Sequence, residues 1–192
     1  MTKKILFIVD PQNDFISGSL EVKGAEDIMN GLARYIERYG NEYELFAVSC
    51  DSHPINHCSF KENGGEWPIH CVVHSVGAAV YQPILNALNN HELKDKKIVA
   101  FIEKGKVGVK EEYSAVDTKR NQEHVSILLK AFNIEQIDIC GICGDICVLN
   151  TIKGLVDMDL KENLNVLEEF CPSLDDGSTL HNYLIENNIK YS

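Results

Sequence analysis

One short stretch of the sequence is crowded with side chains that bind metal ions. Asp51, His53, His57 and His70 bring one carboxylate and three imidazoles into a span of twenty residues. In an extended Asp-x-His the two side chains leave the same face of the chain, so Asp51 and His53 can both reach one ion. Imidazole suits Zn, Fe, Mn or Ni, and a carboxylate widens the choice. The spacing predicts a metal site, with a solvated histidine-rich loop as the alternative.

A second constellation is the glycine-rich turn at residues 141–148, which carries the thiols of Cys143 and Cys147. A helix that starts at this turn would place Cys147 at its N-terminus. There the helix macrodipole and the free N–H groups lower the pKa of a thiol and can bind an oxyanion. The four-residue spacing differs from the Cys-x-x-Cys of a thioredoxin-like dithiol. A tight turn with two buried thiols is the alternative.

Two lone charges, Asp10 and Lys104, stand just beyond apolar runs. Charges in such places are commonly helix caps or solvated loop residues. Together with a thiol, however, a carboxylate and an ammonium make a general base and an electrostatic partner. Asp14 is expected to bond loop amides instead.

The elements that must position these side chains alternate between strand and helix. Continuous apolar runs predict strands at residues 5–9, 45–48 and 98–102, and the segments 137–140 and 164–167 are interpreted as a fourth and a fifth strand. Helical spacing predicts helices at 25–39 with a stop at Gly40, near 84–88, near 125–132, and at 147–160 and 174–186. This order predicts an α/β fold of three layers, α/β/α, with a mainly parallel sheet of about five to six strands. Such sheets bind ligands outside the carboxyl ends of their strands, where Asp10, Asp51, Lys104 and the 141–148 turn all fall.

Composition limits the class of protein. The chain has 192 residues, with 18 Lys and Arg against 29 Asp and Glu, for a formal net charge of −11. A domain commonly has about 150 residues, so we expect a single domain over residues 1–192. The acidic balance argues against nucleic acid as a partner, since a polyanion would be repelled. No apolar run approaches the roughly 20 residues of a membrane span, which argues against a membrane partner.

The seven cysteines bear on the compartment. Five apolar residues separate Lys4 from Asp10, which is too short a run for a secretory signal. We therefore expect a cytoplasmic protein with free thiols. Apart from Cys143 and Cys147, the cysteines are expected to be packing residues.

Three segments, taken together, resemble the isochorismatase-like cysteine hydrolases. They are VDPQNDF at residues 9–15, EKG at 103–105 and GICGDICV at 141–148, and the likeness runs in order from about residue 4 to residue 172. Within that family, DSH at 51–53, HCSF at 57–60 and WPIHC at 67–71 resemble the nicotinamidases and pyrazinamidases. The broader superfamily largely lacks this metal loop.

The resemblance implies catalytic roles. Cys147 would be the nucleophile, Asp10 would take its proton and deliver it to the departing ammonia, and Lys104 would hold both in register. The peptide bond between Ile142 and Cys143 would be cis. The backbone N–H groups of Cys143 and Cys147 would form an oxyanion hole.

The resemblance also implies a cofactor. Asp51, His53 and His70 would bind one divalent ion, either Zn, Fe or Mn. His57 is a fourth ligand in some relatives and is a further candidate here. Glu66 is another candidate to touch the metal or its waters.

The implied substrate is a small molecule, nicotinamide, which would be hydrolysed to nicotinate and ammonia through a cysteine thioester. The ion would bind the pyridine nitrogen, and Phe15 and Trp67 would line the slot for the ring. Pyrazinamide would also be accepted, and a homo-oligomer is left open. Two alternatives stand beside this reading. One is another amidohydrolase of the same fold, acting on a carbamoyl or ureido compound, and the other is a non-catalytic small-molecule binding protein that uses its metal and thiols.

Overall fold

A parallel β-sheet runs through the middle of the protein. The computed structural model describes residues 2–192. The strands are β1 (Lys4–Val9), β2 (Tyr43–Asp51), β3 (Ile98–Lys104), β4 (Gln136–Gly141), β5 (Leu164–Val166) and β6 (Lys190–Tyr191). They lie in the order β3-β2-β1-β4-β5-β6, and every neighbouring pair is parallel. The predicted parallel sheet of five to six strands is confirmed.

Helices pack against the sheet. They are α1 (Asn13–Ile16), α2 (Ala25–Tyr39), α3 (Gln82–Asp95), α4 (Lys119–Ala131), α5 (Leu149–Asp157) and α6 (Ser178–Glu186). Residues 5–9 of β1 point alternately to the two faces of the sheet, and none is more than 1% exposed. Both faces are therefore covered, which explains why this central strand is apolar throughout. The predicted three-layer α/β fold is confirmed.

The candidate site residues lie at the carboxyl ends of strands β1 to β4. Asp10 directly follows β1, while Asp51 and Lys104 are the last residues of β2 and β3 and pair in register. Strand β4 ends at Gly141, opposite Val9 of β1. The carboxyl ends of the four strands predicted to hold the site therefore lie side by side.

Two helices begin later than predicted for local reasons, and α5 also ends at Asp157 rather than at residue 160. A turn of π-helix, Gly144–Val148, precedes α5, so the regular helix begins at Leu149 rather than at Cys147. Helix α6 begins at Ser178 rather than at residue 174. The carboxylates of Asp175 and Asp176 accept backbone N–H bonds from residues 177–179 and so hold a turn before the helix.

Gly40 ends α2 as predicted, but for a reason of packing. Its backbone stays right-handed and continues into a short 3-10 turn, Gly40–Glu42. A Cβ at this position would overlap the imidazole of His91. The glycine is therefore needed for the room that it leaves beside the neighbouring helix.

The cysteines are all free, as expected. Five of them are buried, whereas Cys50 and Cys58 are partly exposed and are less completely packed than predicted. Within residues 2–192, no helix combines the length and the apolar character needed to cross a membrane.

Candidate active site

Lys104 is the centre of a buried charge cluster. Its side chain is 1% exposed. The ammonium nitrogen lies 2.8 Å from Asp10 Oδ2, 2.6 Å from Asp51 Oδ1 and 3.7 Å from Cys147 Sγ. Burial lowers the pKa of an ammonium, but Asp10, Asp51 and the thiol outweigh it and raise the pKa of Lys104 well above its usual value. The lysine is therefore a permanent cation that links two carboxylates to the predicted nucleophile.

Asp10 presents a basic oxygen beside the thiol. Ser49 Oγ donates to Asp10 Oδ1 at 2.7 Å, whereas Oδ2 accepts no well-aligned hydrogen bond from any described residue, although Lys104 lies next to it. One oxygen each of Asp10 and Asp51 and the sulfur of Cys147 lie within 4.8 Å of one another. Burial raises the pKa of Asp10 above its usual value, against the lowering effect of Lys104. This carboxylate is placed and tuned to accept a proton.

The thiol of Cys147 keeps its proton in this arrangement. Cys147 lies in the π-helical turn and is 7% exposed. Burial raises the pKa of the thiol well above its usual value; Lys104 lowers it, while Asp10 and Asp51 raise it further. The prediction of a lowered pKa at a helix N-terminus is therefore wrong for this site, because desolvation and two carboxylates outweigh the cation. A base would have to take this proton before the thiol could act as the predicted nucleophile.

The three residues predicted to bind metal meet at one point. Asp51, His53 and His70 each offer one ligand atom, and these atoms lie within 4.8 Å of one another. All three residues are buried. A parallel bridge between His53 and Val72 holds the segment that carries His70 alongside the end of β2. The long loop after β2 therefore folds back onto the strand end from which it starts.

The hydrogen bonds of both imidazoles leave Nε2 facing away from the bonded carbonyl. Nδ1 of His53 lies 2.9 Å from the Gly105 carbonyl, and Nδ1 of His70 lies 2.8 Å from the Pro68 carbonyl. Because a carbonyl can only accept, each Nδ1 carries a proton. Nε2 of His53 is buried 3.5 Å from Asp51 Oδ2 and has no hydrogen-bond partner in the described part of the chain. A divalent ion would satisfy this nitrogen, and the donor set fits Zn, Fe or Mn.

Protons compete with a metal for these ligands. Burial raises the pKa of Asp51, but Lys104 and His53 together hold it below its usual value. Burial lowers the pKa of His70. Burial also lowers the pKa of His53, but the contact with Asp51 outweighs it and raises the pKa. Asp51 and His70 are thus in metal-binding form at neutral pH, and His53 would release its proton as the ion binds.

His57 is not brought to that point. Its ring stacks on His53, with the centroids 4.0 Å apart. Nδ1 of His57 lies 2.8 Å from Ser59 Oγ, and Nε2 lies 3.1 Å from the Lys110 carbonyl, so both nitrogens are engaged. A second group of potential ligands joins His57 to His53 and Glu111. In this structure His57 supports the neighbouring imidazole, and its role as a fourth ligand stays a prediction.

One small pocket joins the thiol to two of the candidate metal ligands, Asp51 and His70. It is narrow and partly open to solvent. Its lining combines a thiol end, a polar end and aromatic walls: Cys143, Cys147, Asp51, His70, Glu111, Phe15, Trp67 and Tyr113. The two residues predicted to line a ring slot, Phe15 and Trp67, are both in its wall. Trp67 Nε1 donates to the Tyr113 hydroxyl at 3.1 Å, which ties two loops together across the pocket.

The turn after β4 holds Cys147 toward this pocket. The peptide bond between Ile142 and Cys143 is cis, as predicted. The Cys143 carbonyl accepts the N–H groups of Ile146 at 3.2 Å and of Val148 at 3.0 Å. These bonds close the turn around Cys147, whose side chain lines the pocket.

Some residues at the site escaped the sequence reasoning. Gln12 is fully buried, and its carboxamide bonds the N–H of Asp51 at 2.7 Å and the carbonyl of Asp51 at 2.8 Å. Glu111 and Tyr113 reach the pocket from the loop between β3 and α4. Glu66 is exposed and belongs to none of the potential metal-ligand groups formed by residues 2–192. Gln12 lies inside the motif at residues 9–15, but the motif does not indicate what its side chain bonds, and loop glutamates look alike in a sequence.

Residues 4–187 match the isochorismatase domain family. Since the match covers nearly the whole chain, and the parallel sheet agrees with it, the protein belongs to the isochorismatase family. The three sequence motifs that resemble this family contain Asp10, Lys104 and Cys147, and the structure brings these three side chains together.

Within this family, the chain is similar to several nicotinamidases and pyrazinamidases. The chain is 28% identical to a nicotinamidase of Escherichia coli, with 89% of this chain and 84% of that protein aligned. The solved structure of PnC1 from L. infantum, in complex with nicotinate, is 28% identical with a TM-score of 0.81, over 100% of this chain and 92% of that one. The pyrazinamidase of Pyrococcus horikoshii, solved in complex with zinc, has a TM-score of 0.79 at 23% identity, and the alignment covers 99% of this chain and 98% of that one. At that identity the last likeness supports the fold alone.

Proposed function

We propose that this protein is a metal-dependent amidohydrolase that converts nicotinamide to nicotinate and ammonia through a cysteine thioester. One observation carries the proposal: a single small pocket is lined by the thiol of Cys147 and by Asp51 and His70 of the metal-binding group. A pyridine carboxamide needs both at once, because its amide carbon must meet a nucleophile while its ring nitrogen meets a Lewis acid. Phe15 and Trp67 provide apolar aromatic walls for the ring.

The first step in this proposal is proton transfer from Cys147 to Asp10. Burial keeps the proton on the resting thiol, and Asp10 Oδ2 lies 2.8 Å from the Lys104 ammonium without accepting a well-aligned hydrogen bond from residues 2–192. Lys104, 3.7 Å from the sulfur, would stabilise the thiolate as it forms. The base and the cation are thus on hand for the moment at which the amide arrives.

The thiolate would then attack the amide carbon and form a tetrahedral adduct. The N–H groups of Cys143 and Cys147 would stabilise its oxyanion. Asp10 would return the proton to the leaving nitrogen, so that ammonia departs and a thioester remains. A water molecule activated by Asp10 would release the acid and restore the thiol. This covalent route splits one difficult reaction into two easier ones.

A divalent ion held by Asp51, His53 and His70 would supply a Lewis acid that binds and orients the pyridine nitrogen. The unpaired, buried Nε2 of His53 supports this ligand set. His57 would act through its stacking contact, by keeping the ring of His53 in the ligating orientation. Pyrazinamide should also be accepted, because its ring has a nitrogen in the same place.

The test is ammonia release from nicotinamide by purified protein of known metal content. Pyrazinamide and a panel of carbamoyl and ureido compounds are assayed in parallel. Cys147→Ala should still bind nicotinamide but release no ammonia, and EDTA treatment should weaken nicotinamide binding. Activity retained by Cys147→Ala would remove the nucleophile from the proposal. Turnover confined to a carbamoyl or ureido compound would replace the substrate.

A further inference from the structure

The loop between β3 and α4 reaches both halves of the site through its backbone. Four of its carbonyls accept hydrogen bonds from the metal loop and from the buried lysine. The pairs are Gly105 with His53 Nδ1 at 2.9 Å, Gly108 with the N–H of Cys58 at 2.8 Å, Lys110 with His57 Nε2 at 3.1 Å, and Glu112 with Lys104 Nζ at 3.3 Å. The orientation of both the imidazoles and the ammonium therefore depends on how this loop is held.

Glu112 closes the loop. It is 4% exposed, and its Oε2 accepts the N–H of Gly105 at 2.8 Å. Gly105 has a φ of +66° and lies against the ring of His53, where a Cβ would overlap the imidazole. The carboxylate of Glu112 thus fixes the residue whose carbonyl holds His53. The carbonyl of the same Glu112 bonds Lys104.

We propose that Glu112 is a positioning residue whose carboxylate clasps the Gly105 N–H, and that this clasp aims His53 Nε2 at the metal position and holds Lys104 toward Asp10. The metal part rests on the proposed function, whereas the clasp does not. A hydrogen bond to a buried carboxylate is charge-assisted and strong. The partner of a ligating imidazole sets its tautomer and ring orientation, and losing it typically costs about 10–100-fold in metal affinity.

Two substitutions separate the clasp from the bulk of the side chain. Glu112→Gln keeps an oxygen of the same reach that can accept the Gly105 N–H, while Glu112→Met keeps the volume but has no oxygen. Asp117→Met is the control for loss of a carboxylate from the same loop, at an exposed position. It removes a carboxylate that accepts the Ser114 N–H at 2.9 Å, in a neighbouring turn of the same loop.

Zinc affinity, measured by competition with a chromophoric chelator, is the first readout. Glu112→Met should bind zinc more weakly than the wild type, by up to the roughly 10–100-fold that loss of a direct partner costs, and Glu112→Gln and Asp117→Met should stay close to the wild type. A residue that merely stabilised the loop would behave differently. It would lower the melting temperature of Glu112→Met and leave the zinc affinity of the folded protein unchanged, which would overturn the inference.

The second readout needs no metal. In chelator-treated protein, nitrogen NMR of His53 and hydrogen exchange of the Gly105 amide report the clasp directly. Glu112→Met should show faster exchange at Gly105 and a mixture of His53 tautomers, and unchanged signals would overturn the inference. A wild type that bound no zinc and released no ammonia would overturn the proposed function and the metal part of this inference. The metal-free measurements would still decide the clasp.

Discussion

The charge cluster around Lys104 makes a quantitative prediction about stability. Lys104→Met removes an ammonium that lies 2.8 Å from Asp10 and 2.6 Å from Asp51, with all three side chains at most 6% exposed. Lys106 offers a matched control. Its ammonium lies 2.6 Å from Glu103, but these side chains are 48% and 52% exposed. The two substitutions remove the same group at the same distance from a carboxylate and differ in burial.

The expected losses differ several-fold. At an effective dielectric constant of about 20, two unit charges 4 Å apart attract by about 4 kcal/mol, and closer charges attract more. Desolvation offsets much of this in the intact cluster, but removing one partner leaves the other charges buried and unpaired, at a cost of about 3–5 kcal/mol. An exposed pair contributes about 0–1 kcal/mol. We therefore expect the free energy of unfolding to fall by about 3–5 kcal/mol in Lys104→Met and by less than about 1 kcal/mol in Lys106→Met.

The loss in Lys104→Met should also depend on pH. In the wild type burial raises the pKa of Asp51, but Lys104 and His53 hold it below the unfolded value of 3.8. Such a group contributes stability that is present above its unfolded pKa and is lost as the pH falls through the folded value. Without Lys104, burial and mutual repulsion raise the pKa values of Asp10 and Asp51, so the folded state takes up protons. A raised pKa contributes stability at low pH that is lost as the pH rises. The deficit of the variant should therefore shrink between about pH 8 and about pH 5.

Urea unfolding of chelator-treated protein measures both effects. Chelation keeps a bound cation from replacing the missing charge at Asp51. A loss in Lys104→Met below about 1 kcal/mol, equal to that of Lys106→Met, would refute the argument from burial. A deficit of the expected size that did not change with pH would refute the proton uptake.

Three further predictions concern single residues. Iodoacetamide should alkylate Cys147 slowly at neutral pH and faster as the pH rises, because burial raises the pKa of this thiol. Mass spectrometry measures the alkylation rate, and a rate that levels off below about pH 8 would contradict the prediction. Gln12→Leu removes the hydrogen bonds that fix the backbone of Asp51, so zinc should bind about 10–100-fold more weakly in calorimetry. An unchanged zinc affinity would show that the position of Asp51 does not depend on Gln12. Gly40→Ala adds a Cβ that overlaps the ring of His91, and the unfolding free energy from urea titration should fall by about 1–3 kcal/mol; an unaltered value would mean that the ring moves aside freely.

The meeting of Asp10 and Lys104 at the carboxyl ends of the strands could be predicted from the sequence, because it depends on local patterns and on one rule of topology. Asp10 and Lys104 stand just beyond continuous apolar runs, which are legible without coordinates. Parallel strands then bring such ends together. The predicted loop from Asp51 to His70 was legible for a similar reason, because its composition differs from that of its neighbours.

The residues that orient these groups could not be predicted in the same way. Gln12 acts on the backbone of a residue 39 positions away, and Glu112 acts on the backbone of a residue 7 positions back along a loop without regular structure. Such bonds depend on the register of β1 against β2 and on the path of the loop, neither of which leaves a period in the sequence. The pKa of Cys147 escaped prediction because it depends on burial by distant segments, which outweighs the local helix terminus.

The cost of the buried cluster distinguishes catalysis from passive metal binding. A protein that only bound a metal would need Asp51 and its two histidines, and Lys104 alone could balance that carboxylate. Asp10 adds a second buried carboxylate, which raises the pKa of the Cys147 thiol and shares the single ammonium of Lys104 with Asp51. Buried ion pairs are poor sources of stability compared with apolar packing. An arrangement that is costly at rest, and that sets a carboxylate beside a protonated thiol, is what the proposed transfer of that proton from Cys147 to Asp10 requires.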